Sequence, residues 1–315
     1  MSDMKKYAFG IDIGGTTIKT GLFKTSGELL ERWEIITRTE DTGKRILTDI
    51  ADTVNGKILE RNINKDDIEG IGLGVPGPVG QNGVVYKCVN LGWGVFNIEI
   101  ELERLTGLKV KAGNDANVAA LGEMWQGGGK GYRNLVMVTL GTGVGGGVII
   151  DEKIVAGENG AGGEIGHLHM VDGETESCGC GNHGCLEQYA SANGIVRITR
   201  KYLASHSEET TLHSSPDLTS LGIFNAAKAG DAVAGKMVNR ISEMLGKALA
   251  QIACVTNPQV FIIGGGMSKA GSFLIDLIQK YYKQYAFHAA GDTFFKEAEL
   301  SNDAGMYGGV RMVLE

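Results

Sequence analysis

A short apolar run that stops on a glycine-rich tip and resumes as a second apolar run occurs twice in this chain. Residues 7–13 (YAFGIDI) close on Gly14, Gly15, Thr16 and Thr17, and residues 18–23 then alternate as a strand does. Residues 135–140 (LVMVTL) run into GTGVGGG, and VII follows at 148–150. A strand, glycine turn, strand unit that returns in this way predicts two related α/β halves. Between the units the pattern predicts a helix around residues 44–61, a buried strand at 68–75 and a rigid turn at Pro76, Gly77 and Pro78.

Further along, helices at 190–203 and 222–229 flank a polar stretch, 205–220, that reads as a surface loop or short helix. Met237, Ile241, Leu245, Ala248 and Ile252 share one stripe of an amphipathic helix that Asn257 and Pro258 end. Cys254 continues that helix and is expected in the core. Residues 259–263 then deliver a third strand into Gly264, Gly265 and Gly266, and a helix begins near Ser272.

With 315 residues the chain can bury a substantial core and has room for two domains. A formal charge of -7 opposes nonspecific nucleic-acid binding, which needs a cationic surface. Residues 1–6 are polar and lead straight into a strand, with no signal-peptide core, and no apolar run is long enough to span a bilayer. The expectation is a cytoplasmic protein without a nucleic-acid or membrane partner.

Glycine turns at strand ends expose backbone N–H groups that cradle phosphate oxygens without a basic side chain. Gly14, Gly15, Thr16 and Thr17 form one such turn, and Gly141, Thr142 and Gly143 open another. Asp12 stands immediately before the first, where a carboxylate holds Mg2+ directly or through water, and Thr16, Thr17 and Lys19 add hydroxyl and cationic contacts. Thr142 is the hydroxyl donor of the second. Gly141, Gly143 and Gly146 also spell GxGxxG, but a dinucleotide fingerprint needs a helix next, and residues 148–150 read as strand. Residues 230–236 imitate a Walker loop, yet Met237 replaces its hydroxyl and the surroundings are helical.

Residues 163–187 (GEIGHLHMVDGETESCGCGNHGCLE) carry a different chemistry. Cys178, Cys180 and Cys185 supply three thiolates to a tetrahedral zinc, and His167, His169 or His183 completes a closed Cys3His site. Spacing alone does not choose among the three histidines. A metal there would fix Glu164 and Glu187 relative to each other. Paired carboxylates accept from several hydroxyls at once, which suits a neutral, hydroxyl-rich ligand such as a sugar. Asn114, Asp115 and Asn117 sit where an apolar strand passes into a helix. Asp115 there is either a helix cap or a base that takes the proton of an attacking hydroxyl. Asn114 could hold a neighbouring sugar hydroxyl.

Taken together, DIGGTTIK at 12–19, GVPGPV at 74–79, NLGW at 90–93, NDAN at 114–117, LGTGVGGG, GAGGEIGH, CGCGNHGCLE and IIGGGMS resemble the ROK family of sugar kinases and repressors, and within it the bacterial glucokinases. The resemblance covers nearly the whole chain. It implies an actin-like ATPase fold, a duplicated ribonuclease H-like α/β architecture. A smaller N-terminal domain, residues 1–113 rejoined by about 300–315, and a larger one, 114–299, would flank an active-site cleft. It assigns Asp115 as general base and Asn114, Glu164, His167 and Glu187 as sugar partners, with Asn90 and the turn at Gly77 as weaker additions. It gives zinc to His167, Cys178, Cys180 and Cys185, and places ATP with Mg2+ on the turns at 14–17 and 141–145, with Gly265 and Gly266 near the nucleoside. The expected activity is transfer of the ATP γ-phosphoryl group to glucose, in a homodimer. Alternatives are a kinase for mannose, fructose or an N-acetylhexosamine, and a sugar-responsive repressor. The repressor is disfavoured by the acidic charge and by a first strand at about Tyr7, which leaves no helix-turn-helix ahead of it. A zinc hydrolase is disfavoured because three thiolates and one imidazole leave no open metal position.

Overall fold

A computed structural model describes residues 5–214 and 218–315. Part of the polar N-terminus and part of the 205–220 stretch, residues 1–4 and 215–217, lie outside the described residues. The chain opens with β1 (Tyr7–Ile13), β2 (Thr17–Lys24) and β3 (Leu29–Ile36), followed by α1 (Glu40–Gly43) and α2 (Ile46–Glu60). Next come β4 (Ile68–Val75), the short ribbon β5 (Val84–Val85) and β6 (Phe96–Asn97), then α3 (Ile98–Thr106), β7 (Val110–Asn114) and α4 (Asp115–Gln126). The echo follows as β8 (Leu135–Leu140), β9 (Val144–Ile150) and β10 (Lys153–Ile154). After α5 (Glu187–Ala190), α6 (Ala192–Ser205), α7 (Ser220–Lys228) and α8 (Ala232–Thr256), the chain closes with β11 (Val260–Gly264), α9 (Ser272–Tyr285), β12 (Phe294–Glu297) and α10 (Ala304–Val313).

The internal echo extends to whole sheets. One sheet has the order β3-β2-β1-β4-β7 and the other β10-β9-β8-β11-β12, the same arrangement of first, second, third and two later strands. In the first, β1 is antiparallel to β2 and parallel to β4, and β4 is parallel to β7. In the second, β11 is parallel to both β8 and β12. The central strands are buried along most of their length, which matches their unbroken apolar sequences.

By contact the chain groups into two compact units, Met1–Arg133 with Gly147–Gly163 and Glu299–Glu315, and Asn134–Gly146 with Glu164–Ala298. In the first unit α10 packs onto the sheet where side chains are missing. A Cβ on Gly72 would lie 1.8 Å from the Gly309 carbonyl oxygen, and one on Gly10 would lie 2.0 Å from that of Met306. Helix α4 meets α10 in the same way, since a Cβ on Gly308 would lie 1.7 Å from the Val118 carbonyl oxygen. Backbone cannot yield there as a flexible side chain can, so Gly308→Ala should destabilise the chain by about 3 kcal/mol or more. A midpoint shift in urea unfolding measures it; a shift below about 1 kcal/mol would refute the close approach.

Two expectations change. The helix predicted at 190–203 is α6 and starts later, at Ala192, because Ser191, extended (ψ 172°), separates it from α5 and caps it by accepting from the Gly194 N–H. Cys254 is exposed rather than core. It lies about 200° around the helix from buried Ile252, on the outer face of α8. Asn257 ends α8 in the left-handed conformation (φ 40°), with Pro258 next.

Candidate active site

The turn after β1 is a tied hairpin tip. Gly14 N–H donates to the Thr17 carbonyl at 3.0 Å, and the Thr37 hydroxyl donates to the Gly14 carbonyl at 2.7 Å. Asp12, at the end of β1, lies in a slot made by two glycines. A Cβ on Gly305 would come within 2.8 Å of its carboxyl carbon, and one on Gly74 within 3.5 Å of Oδ1. Burial pushes the Asp12 carboxyl above its usual range, and Lys19, 3.9 Å away, only partly opposes this. A confined carboxylate with one distant cation is a fitting partner for Mg2+. Lys19 also donates to the Asn302 carbonyl at 3.2 Å. Gly305 and Lys19 are thus supports of Asp12, a role that the glycine-rich AGMYGG run did not disclose.

Gly74 lies next to Asp115 as well: a Cβ there would be 3.4 Å from the Asp115 Cα. Asp12 and Asp115 therefore stand on either side of one glycine at the end of β4. The question of capping resolves by division of labour. Asn114 is the N-cap, its Oδ1 accepting from Ala116 and Asn117 N–H groups at 3.0 and 3.1 Å. Half-buried Asp115 begins α4, and its Oδ1 accepts from Ala116 N–H at 2.8 Å. A helix N-terminus favours a negative charge at that point. The cap commits the Asn114 oxygen, while its amide donates weakly to the Gly77 carbonyl at 3.4 Å. Asn90 is exposed, in a single 3-10 turn (Val89–Leu91).

The second unit carries the other predicted residues. The turn after β8 closes through Gly141 N–H to the Gly143 carbonyl at 3.0 Å, and the Gly141 carbonyl accepts from Ala192 N–H at 2.8 Å. Thr142 is exposed at its tip. Gly265 adopts φ +87°, and a Cβ on it would lie 2.5 Å from the Leu140 carbonyl oxygen, so the glycine turn after β11 lies against the end of β8. Nothing lies within 4 Å of a Cβ on Gly266. As the sequence reading held, β9 rather than a helix follows the GxGxxG residues, and residues 230–236 merely begin α8 behind the Asp231 cap.

His167, Cys178, Cys180 and Cys185 place one ligand atom each within 4.8 Å of one another. The Cys180 and Cys185 sulfurs are 3.7 Å apart, and Cys178 Sγ is 3.8 Å from His167 Nδ1. A tetrahedral zinc with bonds of about 2.3 Å to sulfur spaces its thiolates about 3.8 Å apart. His169 is excluded: its ring nitrogens engage the His183 carbonyl and Asp172, each at 2.9 Å. Without a cation the thiols resist ionising together. Burial, then its sulfur neighbours, pushes Cys185 up to about 12, and burial also raises Cys178. Burial acts on Cys180 too, but hydrogen bonds from Asn182 N–H and the other thiols hold it low. The donor set thus fits a divalent metal that compensates all three sulfurs.

The same imidazole faces both ways, with Nδ1 toward the thiols and Nε2 3.9 Å from Glu164 Oε2. Glu187 Oε2 accepts from Val144 N–H at 3.2 Å, and its Oε1 accepts from Cys178 Sγ at 3.5 Å. A Cβ on Gly143 would fall 2.2 Å from Glu187 Oε2. Glu187 therefore joins the metal loop to the second glycine turn, a contact that spacing did not reveal.

Paired sheets of one topology, each with a glycine turn between its first two strands, define an actin-like ATPase fold. Residues 8–315 match the ROK family, and the chain belongs to it. It is 44% identical to a glucokinase of Halalkalibacterium halodurans over 98% of this chain and 94% of that protein. A ROK family glucokinase from Streptomyces griseus, solved in complex with glucose and AMPPNP, superposes with a TM-score of 0.74 at 30% identity, covering 96% of this chain and 98% of that one. The ROK hexokinase from Thermus thermophilus gives 0.82 at 30% identity, with 98% of each chain covered. Among the described residues no helix is long and apolar enough to cross a membrane.

Proposed function

We propose that this chain is an ATP-dependent glucokinase that phosphorylates the 6-hydroxyl of glucose. The observation that carries the reading is the placement of Asp12 and Asp115 on either side of Gly74, beside the turn at residues 14–17. Phosphoryl transfer needs positioning and charge neutralisation more than covalent chemistry. Asp115 accepts the proton of the attacking hydroxyl, and Asp12 would hold Mg2+, which would supply charge neutralisation at the transferring phosphate. The N–H groups of the turns at 14–17 and 141–143 cradle phosphate oxygens, and Gly265 and Gly266 lie at the nucleoside. Glu164, His167, Glu187 and Asn114 take the sugar hydroxyls, with Asn90 as an outer contact. His167, Cys178, Cys180 and Cys185 hold a structural zinc that keeps the His167 ring in place for Glu164 and the sugar. The active form we infer is a cytoplasmic homodimer.

ADP release with Mg-ATP across glucose, mannose, fructose and N-acetylhexosamines, fitted for kcat/KM, tests the reading. Glucose should exceed every rival by about tenfold or more, the scale on which unpaired buried polar groups penalise a wrong hydroxyl pattern. A higher value for another hexose would reassign the substrate, and no turnover with any sugar, beside sugar-dependent DNA binding, would make the chain a regulator.

A further inference from the structure

Arg197, on α6, makes contacts that the glucokinase reading does not use. Its Nη2 donates to Glu174 Oε2 at 2.9 Å, its Nη1 to Glu176 Oε2 at 2.8 Å and its Nε to the Gln188 carbonyl at 3.1 Å. The guanidinium also lies 4.9 Å from the centre of the Tyr189 ring, and the Tyr189 hydroxyl donates to Glu174 Oε2 at 2.5 Å. Gln188 extends the network in both directions, accepting from Cys185 N–H at 3.1 Å and donating to the Glu176 carbonyl at 2.9 Å. Lys201 adds a second cation, 2.7 Å from Glu176. The Glu174 side chain is 8% exposed. Its carboxyl is held down to about 2, by the Tyr189 hydroxyl first and Arg197 second, so it is charged at neutral pH.

We propose that Arg197 is a positioning residue for the sugar, clamping the metal loop through Glu174 and Glu176 to the turn that presents Glu187. This rests on the reading of Glu187 as a hydroxyl acceptor. The 174–176 segment and residue 188 bracket both the cysteine loop and Glu187, and one rigid fork contacts all three points. A lysine ammonium is a point charge and cannot reproduce three divergent donors. Tyr189 covers the guanidinium beside Glu174, whose pair with Arg197 is sheltered and so stronger than an exposed ion pair, while Glu176 remains half exposed. Loosening the clamp lets the turn shift by a fraction of an ångström, enough to spoil a carboxylate aimed at sugar hydroxyls.

The clamp competes with two other roles for Arg197. It could be a plain surface brace, or it could contact phosphate, because it borders a cavity of about 340 Å3 that Thr142, Gly143 and Glu187 also line. Arg197→Gln and Arg197→Lys, assayed for KM of both substrates, kcat and zinc release to a chromogenic chelator, separate the three. The clamp requires Arg197→Gln to raise the sugar KM about tenfold and to speed zinc release about tenfold, with the ATP KM and kcat within about twofold, as for other partners of metal-site residues. Arg197→Lys should recover little of either. An unchanged sugar KM with only a lower melting temperature would make Arg197 a brace, and a selective rise in the ATP KM would make it a phosphate contact; each overturns the proposal. If Arg197→Gln does not fold, isosteric Glu174→Gln carries the same expectation at smaller amplitude, and an unmoved sugar KM there is equally fatal. Zinc release is read without turnover, so wild-type protein inactive on every hexose would sink the kinase reading while still showing whether Arg197 holds the loop.

Discussion

Asp115→Asn should lower kcat about a thousandfold and leave the sugar Kd within about threefold, the loss expected when a general base is removed but binding groups stay in place. The substitution is a clean one. Asparagine keeps an Oδ1 that can accept from the Ala116 N–H, and the start of α4 is capped by Asn114 and not by Asp115. The Asp12 slot is built by Gly74 and Gly305, which the change does not touch. What disappears is the carboxylate charge and with it the ability to accept a proton. Because phosphoryl transfer has a loose transition state in which nucleophile deprotonation comes late, the loss should stop well short of the full rate enhancement. Steady-state ADP release at saturating substrates, with calorimetric glucose binding on the same preparation, decides it. Turnover within tenfold of wild type would remove Asp115 from the chemistry, and a lost glucose affinity would make it a binding group instead.

How much of this was legible in sequence depends on whether a feature is local. The strands that end in glycine turns were, because a buried central strand is a continuous apolar run and its turn residues are adjacent in sequence: 68–75 was expected and β4 is Ile68–Val75. Edge strands were not. β3 (LLERWEII) alternates with charges and β12 (FFKE) is four residues long, so neither stands out from a loop, and the full duplication of the sheets emerges only from their pairing. The packing of α10 was illegible for a related reason. It depends on the absence of side chains at Gly10, Gly72 and Gly308, and an absence leaves no hydrophobic period to read.

The site divides along the same line. Glycine turns and the cysteine cluster are short-range patterns with a direct physical meaning, and so is a helix cap at this strand end, which the sequence offers to Asp115 and the structure gives to Asn114. Spacing left three histidines open, and the resemblance to ROK proteins pointed to His167. The structure groups the His167 ring with the three sulfurs, and His169 is already engaged by Asp172 and the His183 carbonyl. Glu187 was readable as a carboxylate but not as the link between metal loop and glycine turn, because Val144 lies 43 residues away. Arg197 had no signal at all: one arginine on an amphipathic helix is ordinarily a solvated charge.

Cys185→Ser should cost the chain its metal and about tenfold or more in sugar KM, while the ATP KM changes by less than about threefold. Cys185 is 1% exposed and its sulfur is 3.7 Å from that of Cys180, so a shorter, harder hydroxyl at that point cannot complete a thiolate set. The asymmetry between the two substrates follows from what the metal would hold. His167 turns Nδ1 toward the thiols and Nε2 toward Glu164, and Glu187 Oε1 lies 3.5 Å from Cys178 Sγ, so both carboxylates assigned to the sugar stand against this cluster. The turn at residues 14–17 is tied by Thr17 and Thr37 and has no such dependence, while the turn at 141–143, among the described residues, meets the cluster through Glu187 alone, so the ATP KM should rise less than the sugar KM. Residues between His167 and Cys185 contribute few buried apolar side chains, so a metal cross-link rather than a core would keep them folded, and its loss should lower the melting temperature by several degrees. Metal content by plasma mass spectrometry, thermal melting and paired KM values test the whole chain of dependence. A verified zinc-free protein with an unaltered sugar KM and melting temperature would show that the four ligands support neither the fold nor the sugar, and an equal rise in both KM values would show that they support the whole active site rather than the sugar carboxylates.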